Sequence, residues 1–201
     1  MIILSSIFNV NYKKIILTKL LVAFLFVVNA QDKTFTTNLP IVYLNTNGQE
    51  IVDDPRIIIQ MEIAWKGDGE TNSTSDPRTH FNGKINIEIR GSSSQMFPKK
   101  SFGFELKDEE EQDMDFPLLD LPEEEDWILY APYSDKALIR NVLTFTLASQ
   151  FSNIYSSRCR FVELFINEKY EGIYVLMEKI KRDKNRVNIA KLKADDIEGE
   201  E

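Results

Sequence analysis

The chain has 201 residues, of which 43% are hydrophobic and 28% charged, and its formal net charge at pH 7 is -8. This composition is typical of a packed globular domain, and the acidic balance argues against nucleic acid or an anionic membrane as a partner. Cys159 and His80 are single copies of their residue types. An intrachain disulfide, a thiolate zinc cluster and a hydrolase triad are therefore not expected.

The first thirty residues have the pattern of a secretory signal peptide. Three lysines precede the uncharged run LLVAFLFVV at 20–28, and small residues lead to the boundary between Ala30 and Gln31. Because such a short apolar run cannot span a bilayer, we expect cleavage after Ala30, a secreted or cell-surface protein, and no stable membrane insertion. An uncleaved signal anchor is the alternative, since further apolar residues lie upstream.

The region 31–83 is predicted to be rich in β-strands. The segment 39–46 (LPIVYLNT) reads as a strand and is followed by Asn47 and Gly48, a pair typical of tight turns. Alternating apolar residues at 57–63 then predict a second strand. The polar stretch 67–77 is expected to be a loop.

From residue 84 onward, two strictly alternating segments, 84–90 and 102–106, predict half-buried strands. The connection between them carries candidates for an anion site: Arg90, Gly91, Ser92, Ser93, Ser94, Lys99 and Lys100. Backbone N–H groups and hydroxyls in such a loop can cradle an anion, and lysine can neutralise it. The alternative is a solvated hairpin with surface lysines.

The alternation of Phe102 and Phe104, extended backwards, places Lys100 on the buried face and Lys99 on the opposite one. A lysine on a buried face needs an anionic partner, so we favour Lys100 over Lys99 as the contact to a bound anion. The acidic run 107–115 is interpreted as a solvated turn, with a metal site as the less favoured alternative.

A helix is predicted from Asp135 to about Phe151, with Ser134 as its N-cap. After it comes the strongest hairpin pattern in the chain, with strands at 161–166 and 172–177 and a turn at 167–171. Glu163 shares the parity of the apolar residues in its strand, an unusual place for an acid without a partner.

Three long segments closely resemble the CotH kinase-like family, which is named after a spore coat protein. They are RGSSSQMFPKKSFGFEL (90–106), DWILYAPYSDKALIRN (126–141) and RFVELFINEKYEGIYVLMEKIKRDKNRVNIAKL (160–192). The resemblance implies an α+β fold. In it, the β-rich segment 31–83 leads into an atypical protein-kinase-like small lobe over 84–201, made of an antiparallel sheet plus one main helix.

The resemblance also implies ATP with Mg²⁺ or Mn²⁺ as cofactors and an extracellular or coat protein as the phosphate acceptor. Besides the polar loop and its lysines, Met177, Glu178 and Lys179 are candidate ATP contacts, because they follow the last strand where a kinase hinge receives adenine. The predicted helix has no glutamate to pair with a lysine. Glu163 and Glu178 are the alternative partners.

The larger lobe of family members supplies the aspartates that bind metal and orient the acceptor, and the segment 84–201 is expected to end before it. We therefore assign no catalytic residue and no metal ligand, and expect the chain alone to be inactive. Two explanations remain open: an N-terminal fragment of a longer kinase, or a stand-alone binding remnant. A third class is a surface adhesin or coat component without kinase activity.

Overall fold

The structure, a computed structural model, describes residues 34–151 and 154–191, so the predicted signal peptide at 1–30 lies outside the described residues. In chain order the strands are β1 Thr36–Thr37, β2 Ile41–Asn45, β3 Ile57–Ala64, β4 Asn72–Ser73, β5 Phe81–Arg90, β6 Ser101–Lys107, β7 Asp126–Tyr130, β8 Cys159–Ile166 and β9 Lys169–Glu178. The α-helix α1, Arg140–Phe151, lies between β7 and β8, and short 3-10 turns occur at Ser93–Met96 and Leu118–Asp120.

Seven of these strands form a closed barrel in the order β2-β3-β5-β6-β7-β9-β8. Neighbours are antiparallel except for β2 and β8, whose parallel pairing closes the barrel. The predicted fold class, a kinase-like small lobe with an antiparallel sheet and a main helix, is therefore wrong. Closure joins two strands more than a hundred residues apart, and no local sequence pattern reports such a pairing.

The barrel interior is filled by every second residue of each strand, as the period of a β-strand requires. These side chains form one buried cluster, to which the strands contribute Val42 and Leu44, Ile59 and Met61, Ile85 and Ile87, Phe102, Phe104 and Leu106, Trp127 and Leu129, Val162 and Leu164, and Tyr174 and Leu176. Strands from both predicted segments, 31–83 and 84–201, contribute side chains to this one core. The predicted boundary between the two segments lies inside strand β5.

The β8–β9 hairpin turns through two residues, fewer than predicted. Asn167 and Glu168 both have positive φ, 49° and 62°, which is the conformation of the tight hairpin turn that matches strand twist. The register then shifts opposite Leu164 and Phe165. Gly172, with φ of 89°, lies at this irregularity, so the predicted long turn is a short turn followed by a β-bulge.

Helix α1 begins at Arg140, five residues later than predicted from Asp135. Leu138 has φ of 61°, which a helix interior does not accept, and the segment before Arg140 folds as turns. Asp135 instead accepts a hydrogen bond from the Arg140 backbone N–H at 2.8 Å, so an aspartate does what Ser134 was predicted to do. Val142 and Phe145 pack on the outside of the barrel.

Within the described ranges, no helix has both the length and the apolar character needed to cross a membrane.

Candidate functional site

The β5–β6 connection and the β8–β9 turn lie at the same end of the barrel, here called the lysine end. Between them is a cavity of about 430 Å³, within the size range of small-ligand sites. Its lining residues are Pro98, Lys99, Lys100, Phe102, Ile166, Asn167, Lys169, Glu171 and Tyr174. The lining thus carries three cations and one carboxylate, and Glu171 already pairs with Lys169 at 2.7 Å.

Lys99 is half-buried at this end with its ammonium group against β9. The Nζ atom donates to the carbonyl of Ile173 at 2.6 Å and lies 4.3 Å from the centre of the Tyr174 ring. Burial lowers the pKa of Lys99 below its usual range, and the negative charges of Glu171 and Glu163 oppose this by raising it. An ammonium has three donors, so Lys99 keeps donors for an anion in the cavity.

Lys100 lines the same cavity, and its Nζ donates to the carbonyl of Gln95 in the 3-10 turn. The alternation used to separate the two lysines does not apply to them, because β6 begins only at Ser101. Both lysines are half-buried, and neither pairs with a carboxylate in the described part of the chain. The two lysines therefore line one cavity, whereas the sequence pattern predicted that they lie on opposite faces of a strand.

The polar loop between the strands is exposed from Gly91 to Ser94. Gly91 has φ of 121°, and a Cβ atom there would lie 2.1 Å from the Oγ of Ser94, so this turn requires glycine. Gln95 closes the loop by donating from Nε2 to the Gly91 carbonyl at 2.7 Å. Arg90 ends β5 opposite Ser101 and is also exposed. The loop and Lys100 thus form one connected unit.

Gly172 is a part of this site that sequence reasoning missed. A Cβ atom at Gly172 would approach the Nζ of Lys99 to 3.2 Å, so the absence of a side chain lets the ammonium reach the β9 backbone. A glycine inside an otherwise regular strand pattern, as in YEGIY, is a known sign of a bulge or of close backbone approach. That signal was available in the sequence.

The three remaining candidate residues lie at the opposite end of the barrel. Met177 and Glu178 end β9, where they pair with β7 and β8, and Lys179 follows them. Ile173, whose carbonyl binds Lys99, and Met177 are four positions apart in β9, which is about 13 Å along a strand. The packed barrel core fills the space inside. The structure therefore places Arg90 to Ser94, Lys99 and Lys100 together and Met177 to Lys179 apart from them.

Glu178 pairs with an arginine, not with a lysine of the cavity. Its side chain is 0% exposed and lies 2.8 Å from the Nη2 of Arg158. Tyr155 donates its hydroxyl to the same carboxylate at 2.9 Å, and burial together with the Glu178 anion raises the pKa of that hydroxyl. Glu178 therefore has a complete set of partners in the fold.

Glu163, the other alternative, also has partners that sequence could not identify. Its carboxylate accepts hydrogen bonds from Thr37 at 3.0 Å and from the Tyr170 hydroxyl at 2.6 Å. Burial and the adjacent carboxylate raise the pKa of Tyr170 to about 12. Glu163 thus joins β8 to the N-terminal part of the described chain.

A group of acidic residues lies at the opposite end of the barrel from the cavity. Carboxylate oxygens of Asp115, Glu124 and Glu125 lie within 4.8 Å of one another. Lys181 places its ammonium among them, 2.5 Å from Glu124 and 2.7 Å from Glu125. Burial raises the pKa of Glu124, whereas at Glu125 the effect of burial is outweighed by hydrogen bonds, chiefly from Lys181, which lower the pKa to about 2. A metal ion at this group would have to displace the ammonium of Lys181 from Glu124 and Glu125.

The lysine end can therefore bind an anion: it offers two half-buried ammonium groups that line one cavity and that, among the described residues, form no ion pair with a carboxylate. The match to known families includes the residues of this end. Residues 87–200 match the family described as CotH kinase protein. No curated protein matches the chain. Since the matched region is more than half of the sequence, the chain belongs to the CotH kinase protein family.

Proposed function

We propose that the lysine end binds the phosphates of ATP, and that this chain is the phosphate-binding part of an atypical protein kinase. The observation that carries the proposal is Lys99, a half-buried cation that faces a cavity and has no carboxylate partner among the described residues. A buried charge without a counterion is costly. A phosphate group would supply that counterion, and Lys100 would supply a second contact.

The residues of the site fit the phosphates of ATP better than its other parts. Phosphoryl transfer needs cations around the phosphates, and carboxylates to hold metal and to orient the acceptor hydroxyl. The lining supplies the cations, but its single carboxylate, Glu171, is paired with Lys169. We therefore derive no metal ligand and no transfer step from these residues, and we expect the chain alone to bind ATP without transferring phosphate.

Calorimetric titration of ATP into the full 201-residue chain, with and without Mg²⁺, tests the proposal. A charge-assisted contact is worth about 1.5 to 3 kcal/mol. Replacing Lys99 with alanine should thus weaken binding on the order of tenfold to a hundredfold. Lys84→Ala is the matched control, since Lys84 lies in β5 and contacts the carbonyl of Glu109, away from the cavity. Binding that survives in both Lys99→Ala and Lys100→Ala, with melting temperatures unchanged, would rule the site out.

Phosphate transfer is checked separately with labelled ATP, Mg²⁺ or Mn²⁺, and a generic protein acceptor. We expect no incorporation of label above that of a chain-free control. Strong incorporation by the pure chain would mean that acidic residues outside the cavity complete a transfer site.

Export and the protein partner belong to the same proposal. The basic start, the apolar run and the small residues before Gln31 support secretion or surface display, with an extracellular or coat protein as the acceptor and no nucleic acid partner. N-terminal sequencing of protein from the culture medium should give Gln31 as the first residue. A cytoplasmic product that retains Met1 would contradict export.

A second candidate function, a surface or coat binding protein without kinase activity, is favoured by helix α1. The side chains of Ile139, Leu143, Leu147 and Phe151 recur every four residues and are 47%, 50%, 42% and 83% exposed. Such a stripe is typical of a contact face. Binding to a protein partner that is lost in Leu143→Glu but retained in Lys99→Ala would favour this candidate over the kinase.

A further inference from the structure

Most backbone hydrogen-bonding groups of Met177–Lys179, where a hinge would receive adenine, already have partners within the fold. Met177 lies inside the sheet, between β7 and β8. The Glu178 N–H donates to the Arg158 carbonyl at 3.1 Å, and the Glu178 carbonyl accepts from Ser157 at 2.6 Å. Recognition of an adenine edge requires free backbone donors and acceptors, and the N–H and carbonyl of Glu178 at the centre of this segment are both already bonded.

The side chains of the same segment are also occupied. Met177 is 8% exposed and packs with the residues beneath helix α1. Glu178 is held by Arg158, and Lys179 pairs with Asp126 at 2.6 Å. The Lys179 carbonyl accepts from Arg186, a residue that is only 4% exposed. A base cannot enter this region without breaking the end of the barrel.

Among the described residues that line the cavity at the lysine end, no side chain distinguishes one base from another. Its one amide side chain, Asn167, is bonded through both its oxygen and its nitrogen to Thr46. Its aromatic residues, Phe102 and Tyr174, are 5% and 2% exposed, and Lys99 lies over the Tyr174 ring. The available donors are ammonium groups, which recognise negative charge and carry no pattern that matches a base edge.

We propose that this site recognises its ligand through the phosphates and is indifferent to the base, so that its ligand class is polyphosphates in general: nucleoside triphosphates of any base and inorganic tripolyphosphate alike. The inference rests on the proposed function, because it concerns the same lysines. It goes further by removing the hinge that the sequence resemblance implied at Met177, Glu178 and Lys179.

The test is calorimetric titration of the full chain with ATP, GTP, UTP, inorganic tripolyphosphate and adenosine, all at one ionic strength. The three nucleotides carry the same charge and should bind within about threefold of one another, since stacking and cation contacts do not discriminate bases. Tripolyphosphate should bind within about tenfold of ATP, and adenosine should not bind. Lys99→Ala should weaken all four phosphate ligands by a common factor on the order of tenfold to a hundredfold, and Lys84→Ala should change none.

The outcomes separate the inference from the proposed function. If ATP binds more than about threefold tighter than GTP and UTP, or if adenosine binds in addition to tripolyphosphate, base indifference is wrong while the phosphate site stands. If neither ATP nor tripolyphosphate binds, both fail. A melting curve of each variant shows whether the substitution has unfolded the protein. Lys99→Gln, which removes the charge but keeps a long polar side chain, tests the role of the charge if Lys99→Ala does not fold.

Discussion

The buried pair of Glu178 and Arg158 should respond unequally to the loss of either partner. Glu178 is 0% exposed at its side chain, whereas Arg158 is 41% exposed. Arg158→Ala leaves the carboxylate buried with the Tyr155 hydroxyl and one backbone N–H as partners. Removal of one member of a buried pair costs about 3 to 5 kcal/mol, and these remaining bonds favour the low end, about 3 kcal/mol.

The opposite change is expected to cost much less. In Glu178→Gln the arginine can turn toward water, because it is 41% exposed, and the amide oxygen keeps part of the hydrogen bonding. The cost should be about 1 kcal/mol. Arg158→Ala is therefore expected to lose about 2 kcal/mol more stability than Glu178→Gln, and the sign of this difference should not depend on ordinary ionic strength.

Urea unfolding of both variants, followed by circular dichroism, measures these free energies directly. The double variant Arg158→Ala with Glu178→Gln should be more stable than Arg158→Ala alone, since no buried charge remains unpaired. Equal losses in the two single variants, or a larger loss in Glu178→Gln, would refute the assignment of Glu178 to the fold and return it to the candidates for ligand binding.

Two further predictions concern a pH effect and a glycine. His80 accepts a hydrogen bond from the Leu119 N–H at 2.8 Å, and burial lowers its pKa below 6.5, with Arg160 adding to this and Asp120 opposing it. Because the unfolded chain binds the proton more readily, stability should fall as pH drops through 6.5, more steeply than in His80→Gln; identical pH profiles in urea unfolding would contradict this. Gly172→Ala should cost about 1 to 3 kcal/mol and weaken tripolyphosphate binding, whereas Gly48→Ala, also at positive φ but with no neighbour within 4 Å, should affect stability alone.

The strands were predicted well because the alternation of apolar and polar residues that identifies a strand lies within the strand itself. The alternation at 57–63, 84–90 and 102–106 corresponds to barrel strands with one face in the core. The predicted end of helix α1 agrees with the structure, but the predicted start does not. The turn before the helix depends on the positive φ of Leu138, and a leucine in the sequence gives no sign of such a conformation. Barrel closure was not predictable, since it is decided by the pairing of β2 with β8.

The candidate site was also predicted only in part. Lys99 and Lys100 were identified from composition and resemblance. The preference for Lys100 assumed that the alternation of β6 extends back to these lysines, whereas β6 begins at Ser101. The partners of Glu178 and Glu163 lie far away or in unremarkable sequence, so no spacing identifies them. Gly172 could have been identified from the sequence, because a glycine inside a strand pattern indicates a bulge or a close backbone approach. In the structure it lies where Lys99 approaches β9.

The most direct test of the phosphate site is the titration of the lysine side chains by NMR, with and without inorganic tripolyphosphate. In the free chain, burial should make Lys99 titrate below the ordinary lysine value of 10.5. A bound anion stabilises the charged form, so tripolyphosphate should raise the pKa of Lys99. An unchanged Lys99 titration at saturating tripolyphosphate would contradict the claim that this cavity binds phosphates.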